Sequence, residues 1–204
     1  MTPPHVIGRA QWRYSRHPGT DRAILSQTDR GFHLSGRMRL RFPEGPTTAT
    51  YAVVCDGTWR PRSARIDLQQ GRSRHFVDLQ ISEENEWEIN GFRHREFQGF
   101  TDLDLSASPS TNTLAVRRLD LPVGGAAEIQ TGWIVFPDLE VRPVKQRYHR
   151  MSEHRYRYEG LHNGFVAEFD VDDLGFVTDY PGFWERIPLS RTATARHARR
   201  RRSE

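Results

Sequence analysis

The segment Thr48–Leu68 reads TATYAVVCDGTWRPRSARIDL, and its reading decides the fold class. Thr48 to Cys55 is rich in β-branched and aromatic residues, the types that fit a pleated, half-buried surface. Asp56-Gly57 is a strong short-range hairpin signal. The chain answers from Trp59 to Leu68 with a partner strand. Ala64, Ile66 and Leu68 fall on one face and Arg65 and Asp67 on the other. Two strands with one apolar face each, joined by a tight turn, are the unit of an antiparallel sheet.

The same grammar extends in both directions. Trp12 and Tyr14 alternate around Arg13 and predict a first strand. In Gly31–Phe42, the residues Phe32, Leu34, Met38, Leu40 and Phe42 share parity, with Gly36 expected as a bulge. Pro43 to Pro46 is a turn. Phe76 to Ile81 is a strand, and Asn90-Gly91 is a second hairpin dipeptide. Strands are predicted over Ala127–Phe136, Val141–Met151 and Tyr156–Tyr158. Phe165, Ala167, Phe169 and Val171 oppose Glu168 and Asp170 in the cleanest alternation of all. Phe176, Thr178 and Tyr180 are expected as the last strand. No long segment carries apolar residues at helical spacing. Turn signals recur about every ten residues, as in a sandwich, a barrel or a rolled sheet.

The chemistry concentrates in Gly99–Leu119, GFTDLDLSASPSTNTLAVRRL. Asp102 and Asp104 alternate with Leu103 and Leu105, which predicts a strand with acids on one face. Ser106 to Asn112 is a turn, and Thr111 or Asn112 is placed to cap a single helical turn leading to Arg117 and Arg118. Two acids two residues apart on a strand lie roughly 6.6 Å apart. Such a pair falls within the span of a glycosidase, about 5 to 9 Å, but both acids point the same way and straddle a sugar poorly. Bonds to arginines or to turn amides are the simpler use of them. One of Arg117 and Arg118 is expected to pair inside the domain; the other is free to hold an anionic head group through its fork. Arg147, Tyr148, Arg150, Arg155, Tyr156, Arg157 and Tyr158 interleave aromatic and basic groups, a composition that stacks sugars or bases, or covers a solvated sheet face. At least one of Trp59, Trp87, Trp133 and Trp184 is expected to wall a cavity.

These residues resemble the signature of the putative glycolipid-binding family. That signature runs Gly-Cys-x-Asp-x-Asp-Leu, then Thr-Pro-x-Thr-Asn-Thr-Leu-Pro-Ile-Arg-Arg-Leu. The matching residues are Gly99, Asp102, Asp104, Leu105, Pro109, Thr111 to Leu114, Arg117, Arg118 and Leu119. Phe100 stands where Cys is usual, Ser108 where Thr is usual and Ala115 where Pro is usual. The resemblance continues through Phe136–Leu139, Gln146–Tyr148, Tyr156–Glu159 and Asp179–Gly182. It implies an all-β, mostly antiparallel rolled sheet with little helix, a spiral β-roll or half-barrel similar in shape to bacterial lipoprotein-carrier half-barrels. It also implies a lipid or glycolipid ligand, and it brings no catalytic residues. A greasy concave wall would hold the chain, at about 0.8 kcal/mol per buried methylene before ordering costs. Asp102, Asp104, Asn112, Arg117, Arg147 and Tyr148 are the candidate ligand-binding mouth. If the hollow is filled by the protein's own rings, that reading loses its site. Two alternatives stand beside it: an enzyme acting on a glycoconjugate with Asp102 and Asp104 as acids, and an interaction module using a basic tail.

Composition bounds the rest. The chain has 204 residues, 27% charged and 36% hydrophobic. That suits one domain, expected over residues 5–189. The formal charge is +4, but six arginines and one glutamate follow Leu189; without them the sum is −1. Residues 190–204 are therefore expected as a disordered Arg-rich tail, compatible with contact to nucleic acid or an anionic membrane but on a body that is not basic. One cysteine, Cys55, excludes an internal disulfide and suits a reducing compartment. No apolar run has the length of a signal peptide or of a membrane span, so a cytoplasmic protein is expected. The nine histidines show no zinc spacing, and no cofactor motif is present, so neither metal nor cofactor is expected.

Overall fold

The structure, a computed structural model, describes residues 3–189; the expected tail lies outside them. Its strands are β1 (His5–Tyr14), β2 (Thr20–Thr28), β3 (Gly31–Phe42), β4 (Gly45–Asp56), β5 (Pro61–Gln70), β6 (Ser73–Ile81), β7 (Trp87–Ile89), β8 (Phe92–Arg93) and β9 (Asp102–Leu105). A single α-helix, α1 (Asn112–Leu119), comes next among the described residues. Then follow β10 (Ala126–Val135), β11 (Glu140–Arg150), β12 (Arg155–Gly160), β13 (Phe165–Val171), β14 (Val177–Tyr180) and β15 (Trp184–Arg186). All belong to one sheet, in the order β8 to β1, then β15 down to β9. Every neighbouring pair is antiparallel except β9 with β10. The expected all-β, mostly antiparallel rolled sheet is the observed fold.

The turns follow their residues. Asp56 Oδ1 accepts hydrogen bonds from the amides of Thr58 and Arg60 at 2.8 and 3.1 Å. Trp59 takes a left-handed φ of 66° and stacks on Phe32. The β4–β5 loop is therefore longer than a two-residue hairpin. Asn90-Gly91 does make the two-residue turn, with Ile89 opposite Phe92 and both turn residues at positive φ. Gly36 is not a bulge: β2, β3 and β4 pass it in unbroken register. A Cβ there would stand 2.2 Å from the Tyr51 ring, so the glycine makes room for that ring.

Four strands escape the sequence reading: the short β7 and β8 on either side of Asn90-Gly91, and β2 and β15. In β2 the inward parity is Asp21, Ala23 and Leu25, with an acid at its head and Ile24 facing out, so the alternation is masked. β15 is only three residues long, yet it joins β14 to β1 and makes the sheet continuous.

The sheet winds past itself. In the parallel ladder, Leu103 lies beside Gly132 and Leu105 beside Ile134, while Asp102 and Asp104 lie beside Thr131 and Trp133 on the opposite face. Leu103, Leu105 and Ile134 are buried, and so are Asp102 and Thr131. The leucine face packs outward onto β7, where a Cβ on Gly132 would come within 2.5 Å of the Trp87 ring. The Trp87 indole N–H donates to the Phe100 carbonyl at 3.0 Å. The acid face looks into the lumen. Both faces of β9 are therefore covered, because the roll overlaps at its ends.

Candidate functional site

The lumen is occupied by the chain itself. Ser106–Leu119, which runs from the end of β9 through α1, is pinned to three parts of the wall. Ser108 donates to Asp21 of β2 at 2.5 Å, and the Tyr51 hydroxyl of β4 bridges Asp21 and Ser110 at 3.1 and 2.8 Å. Thr111 donates to Asp104 Oδ1 at 2.8 Å and accepts from the Leu105 amide. Thr111 sits at the helix N-cap, but its hydroxyl ties the helix to β9 rather than capping it, and the helix runs two turns rather than one. Tyr148 of β11 donates to Asn112 Oδ1 at 3.0 Å. Arg118 grips Asp102 with two nitrogens at 2.6 and 2.7 Å; the carboxylate is buried and the guanidinium mostly so.

Twelve buried polar or charged residues are found among the described ones, and nine of them belong to this segment or the wall it touches: Asp21, Asp102, Ser108, Ser110, Thr111, Asn112, Thr113, Thr131 and Gln146. Buried polar groups are costly unless bonded, so the segment and the wall require each other. Burial pushes the Asp21 carboxyl up to about 7 despite bonds from Ser108 and Tyr51. Burial likewise raises Asp104, which accepts from Thr111 and from Gln146 Nε2 at 3.0 Å. The expected hollow with a greasy wall is therefore filled, because the polar stretch that follows β9 folds into it.

Room remains at one end of the roll. A cavity of about 220 Å³ has Asp104, Ser108 and Asn112 among its lining residues, with Trp133, Tyr158, Phe165, Tyr180, Phe183 and Trp184 as aromatic walls and His162 and Asn163 exposed at its rim. A second cavity of about 270 Å³ shares Ser106, Phe183 and Trp184 with it and continues along Tyr14, Leu40, Phe42, Ala107 and Phe136. His17 and Arg41 also line it. Each is slightly smaller than the ~300–1,000 Å³ of ordinary ligand pockets; adjoining, they reach that range. Four of the wall's rings belong to a closed circuit of aromatic contacts that Tyr148 and Phe169 complete from the buried side. Tyr148 touches Tyr158, Tyr158 touches Phe165, Phe165 touches Phe183, Phe183 touches Tyr180, Tyr180 touches Phe169 and Phe169 returns to Tyr148, with centroids 5.2–6.4 Å apart. Trp133 meets His162 at 5.0 Å across the rim.

The six residues expected at a common mouth are dispersed. Asp104 and Asn112 line the smaller cavity. Tyr148 stands behind Asn112, its hydroxyl used and its ring buried. Asp102 is spent on Arg118. Arg117 lies over Trp59, 5.3 Å from its ring, donates to the Asp173 carbonyl and borders a separate polar cavity. Arg147 is on the outer face, ion-paired with Glu128 and Glu159. Strand parity explains this: Tyr148, Tyr156 and Tyr158 turn in while Arg147, Arg155 and Arg157 turn out, and Arg150, which shares the parity of Tyr148, donates to the Leu121 carbonyl, so the interleaved pattern is not one mixed surface. Missed altogether were Asp21, Tyr51 and Phe183, whereas Trp133 and Trp184, two of the four tryptophans expected as cavity walls, do line the smaller cavity. The alternation of Asp21 with Ala23 and Leu25 was the signal for the first.

A rolled, mostly antiparallel sheet, closed by its own helix and open at one end to an aromatic cleft with a carboxylate among its lining residues, defines the class by its fold: a β-roll. The chain belongs to the family described as "Putative glycolipid-binding", whose model matches residues 9–186. It is similar to a DUF1089-family protein of Pseudomonas aeruginosa known from a crystal structure, with 31% identity, a TM-score of 0.76, and 86% of this chain and 95% of that one covered. A beta-barrel-like protein of domain of unknown function DUF1849 from Brucella abortus overlaps 90% of this chain and 95% of its own at 11% identity and a TM-score of 0.48. The comparison with curated proteins finds no match. Among the described residues no helix is long and apolar enough to cross a membrane, and no three His, Cys, Asp or Glu side chains gather as a metal site.

Proposed function

We infer that the protein binds a glycolipid at the open end of the roll rather than in the lumen. The sugar sits in the smaller cavity and the start of the acyl chain in the larger. What supports this is the division of labour between two adjoining cavities. One combines aromatic walls with Asp104 and Asn112, the mixture of flat apolar faces and few polar groups that orients a sugar. The other is apolar along Leu40, Phe42 and Phe136. Asp104 retains acceptor capacity after its bonds to Thr111 and Gln146, since a carboxyl offers about four lone-pair sites.

Asp104 is the one carboxylate lining the smaller cavity among the described residues. Glycosidic cleavage ordinarily calls on two carboxylates flanking the bond. The arrangement therefore favours holding a sugar over cutting it. The test is a tryptophan-fluorescence titration with octyl glucoside and with a fatty acid. Both saturate in the wild type. Asp104→Asn weakens the glucoside about tenfold, the worth of one good hydrogen bond, and leaves the fatty acid unchanged. Absence of saturable binding by either probe overturns the reading.

A further inference from the structure

We propose that the outer face of β3 is a docking surface for an anionic lipid bilayer, which delivers the open end of the roll to the membrane. The proposal rests on the binding reading above for its purpose but on separate residues for its evidence. Arg37, Arg39 and Arg41 are exposed on one face of β3. At strand spacing they stand about 7 Å apart in a row. Their ladder partners on β4 are Thr50, Thr48 and Pro46, and on β2 Arg37 faces Arg22 and Arg39 faces Thr20. No carboxylate flanks the row on either strand. Glu44, in the β3–β4 turn, forms no ion pair with it.

The contrast with the rest of the outer surface carries the argument. Arg65 pairs with Asp67 and Asp78, Arg147 with Glu128 and Glu159, Arg155 with Glu168, and Arg142 with Glu140. Outward arginines on this sheet usually meet a carboxylate on their own or a neighbouring strand. On β3, Arg37, Arg39 and Arg41 meet none among the described residues, and a row of three like charges along one strand face is unfavourable without a counter-charge. The complement is an external anion.

The position of the row selects the bilayer. Arg41 is both its last member and part of the wall of the apolar cavity, beside Leu40, Phe42 and Pro43. Arg16 stands 4.1 Å over the Phe183 ring at the same opening, and His17 lines it. An anionic surface and an acyl chain are thus engaged at contiguous points. A membrane presents both; a nucleic acid presents only the first.

Vesicle co-sedimentation of the full chain tests this, comparing phosphatidylcholine vesicles with vesicles of equal parts phosphatidylcholine and phosphatidylglycerol. The wild type binds the anionic vesicles selectively and is released by added salt. The Arg37→Gln/Arg39→Gln variant, which leaves the cavity wall and the C-terminal arginines intact, binds about twenty-five-fold more weakly, at roughly fivefold for each arginine near an anionic surface. Its octyl glucoside titration without vesicles is unchanged. Equal binding to neutral vesicles, full binding by the variant, or preference for an oligonucleotide over anionic vesicles overturns the proposal. A wild type that binds anionic vesicles selectively but takes up no glucoside sinks the cavity reading and leaves the docking surface standing.

Discussion

The two halves of the inner wall obey different rules. Over β3 to β6 the inward residues include Leu34, Met38, Val53, Ile66, Leu68, Val77 and Leu79, and apart from Thr47 and the Tyr51 hydroxyl of β4 the buried face is apolar. Over β9 to β11 they include Asp102, Asp104, Thr131, Gln146 and Tyr148 beside Ile129 and Val144. The first half contributes non-directional burial, worth about 25 cal/mol per Å² of apolar surface. The second is a set of donors and acceptors that must be matched one by one, and α1 with its leading loop supplies the matches. The difference teaches why the roll holds a helix. A polar wall left unpartnered would be costly, so the sequence after β9 carries its complement.

Breaking the polar half at its ion pair should give the largest effect. Arg118→Ala strands Asp102 in the interior and should cost about 3–5 kcal/mol in denaturant unfolding. Adding Asp102→Leu should recover much of that loss, since two apolar partners can replace a buried pair. If Arg118→Ala is neutral, the helix is not anchored there. On the apolar half, Leu79→Ala should cost about 2–5 kcal/mol through the cavity it leaves. That loss should be the same at all pH values, because no titrating group is uncovered.

A pH scan separates the halves more sharply. The Asp21 carboxyl is held at about 7 in the fold against an ordinary value of 3.8. Between those values the folded state binds more protons than the unfolded one, so stability falls as pH rises from about 4 to about 7. The contribution is fully present below the lower value and lost above the upper. Asp21→Asn should flatten that fall and leave the variant more stable than the wild type above neutral pH, by up to a few kcal/mol. A melting-temperature profile that is identical for the two proteins sinks this account. The smallest effect is expected from Tyr51→Phe, which removes one hydroxyl from Asp21 and Ser110 and should cost about 1–2 kcal/mol.

Much of the sheet was legible from alternation. Phe165–Val171, Gly31–Phe42 and the Thr48–Leu68 hairpin declare one apolar face each, and the family signature in Gly99–Leu119 marks where polar chemistry gathers. The site was less legible. Asp104 and Asn112 were named and do line a cavity, but Arg147 and Asp102 were named for their chemistry and are occupied by neighbours 12 to 19 residues away in sequence. Trp184 and Phe183 wall the cleft because β15 swings beside β1, a pairing across more than 170 residues that no local pattern encodes.

Local sequence determined the strand periods, most of the turns, the antiparallel character and the residue types that had to be buried, because each rests on interactions within a few positions. Tertiary structure alone decided that the sheet overlaps itself, which face of β9 looks into the lumen, and that the lumen closes on α1. Those outcomes depend on which carboxylate meets which distant arginine, hydroxyl or amide, and that matching exists only once the chain has been brought together.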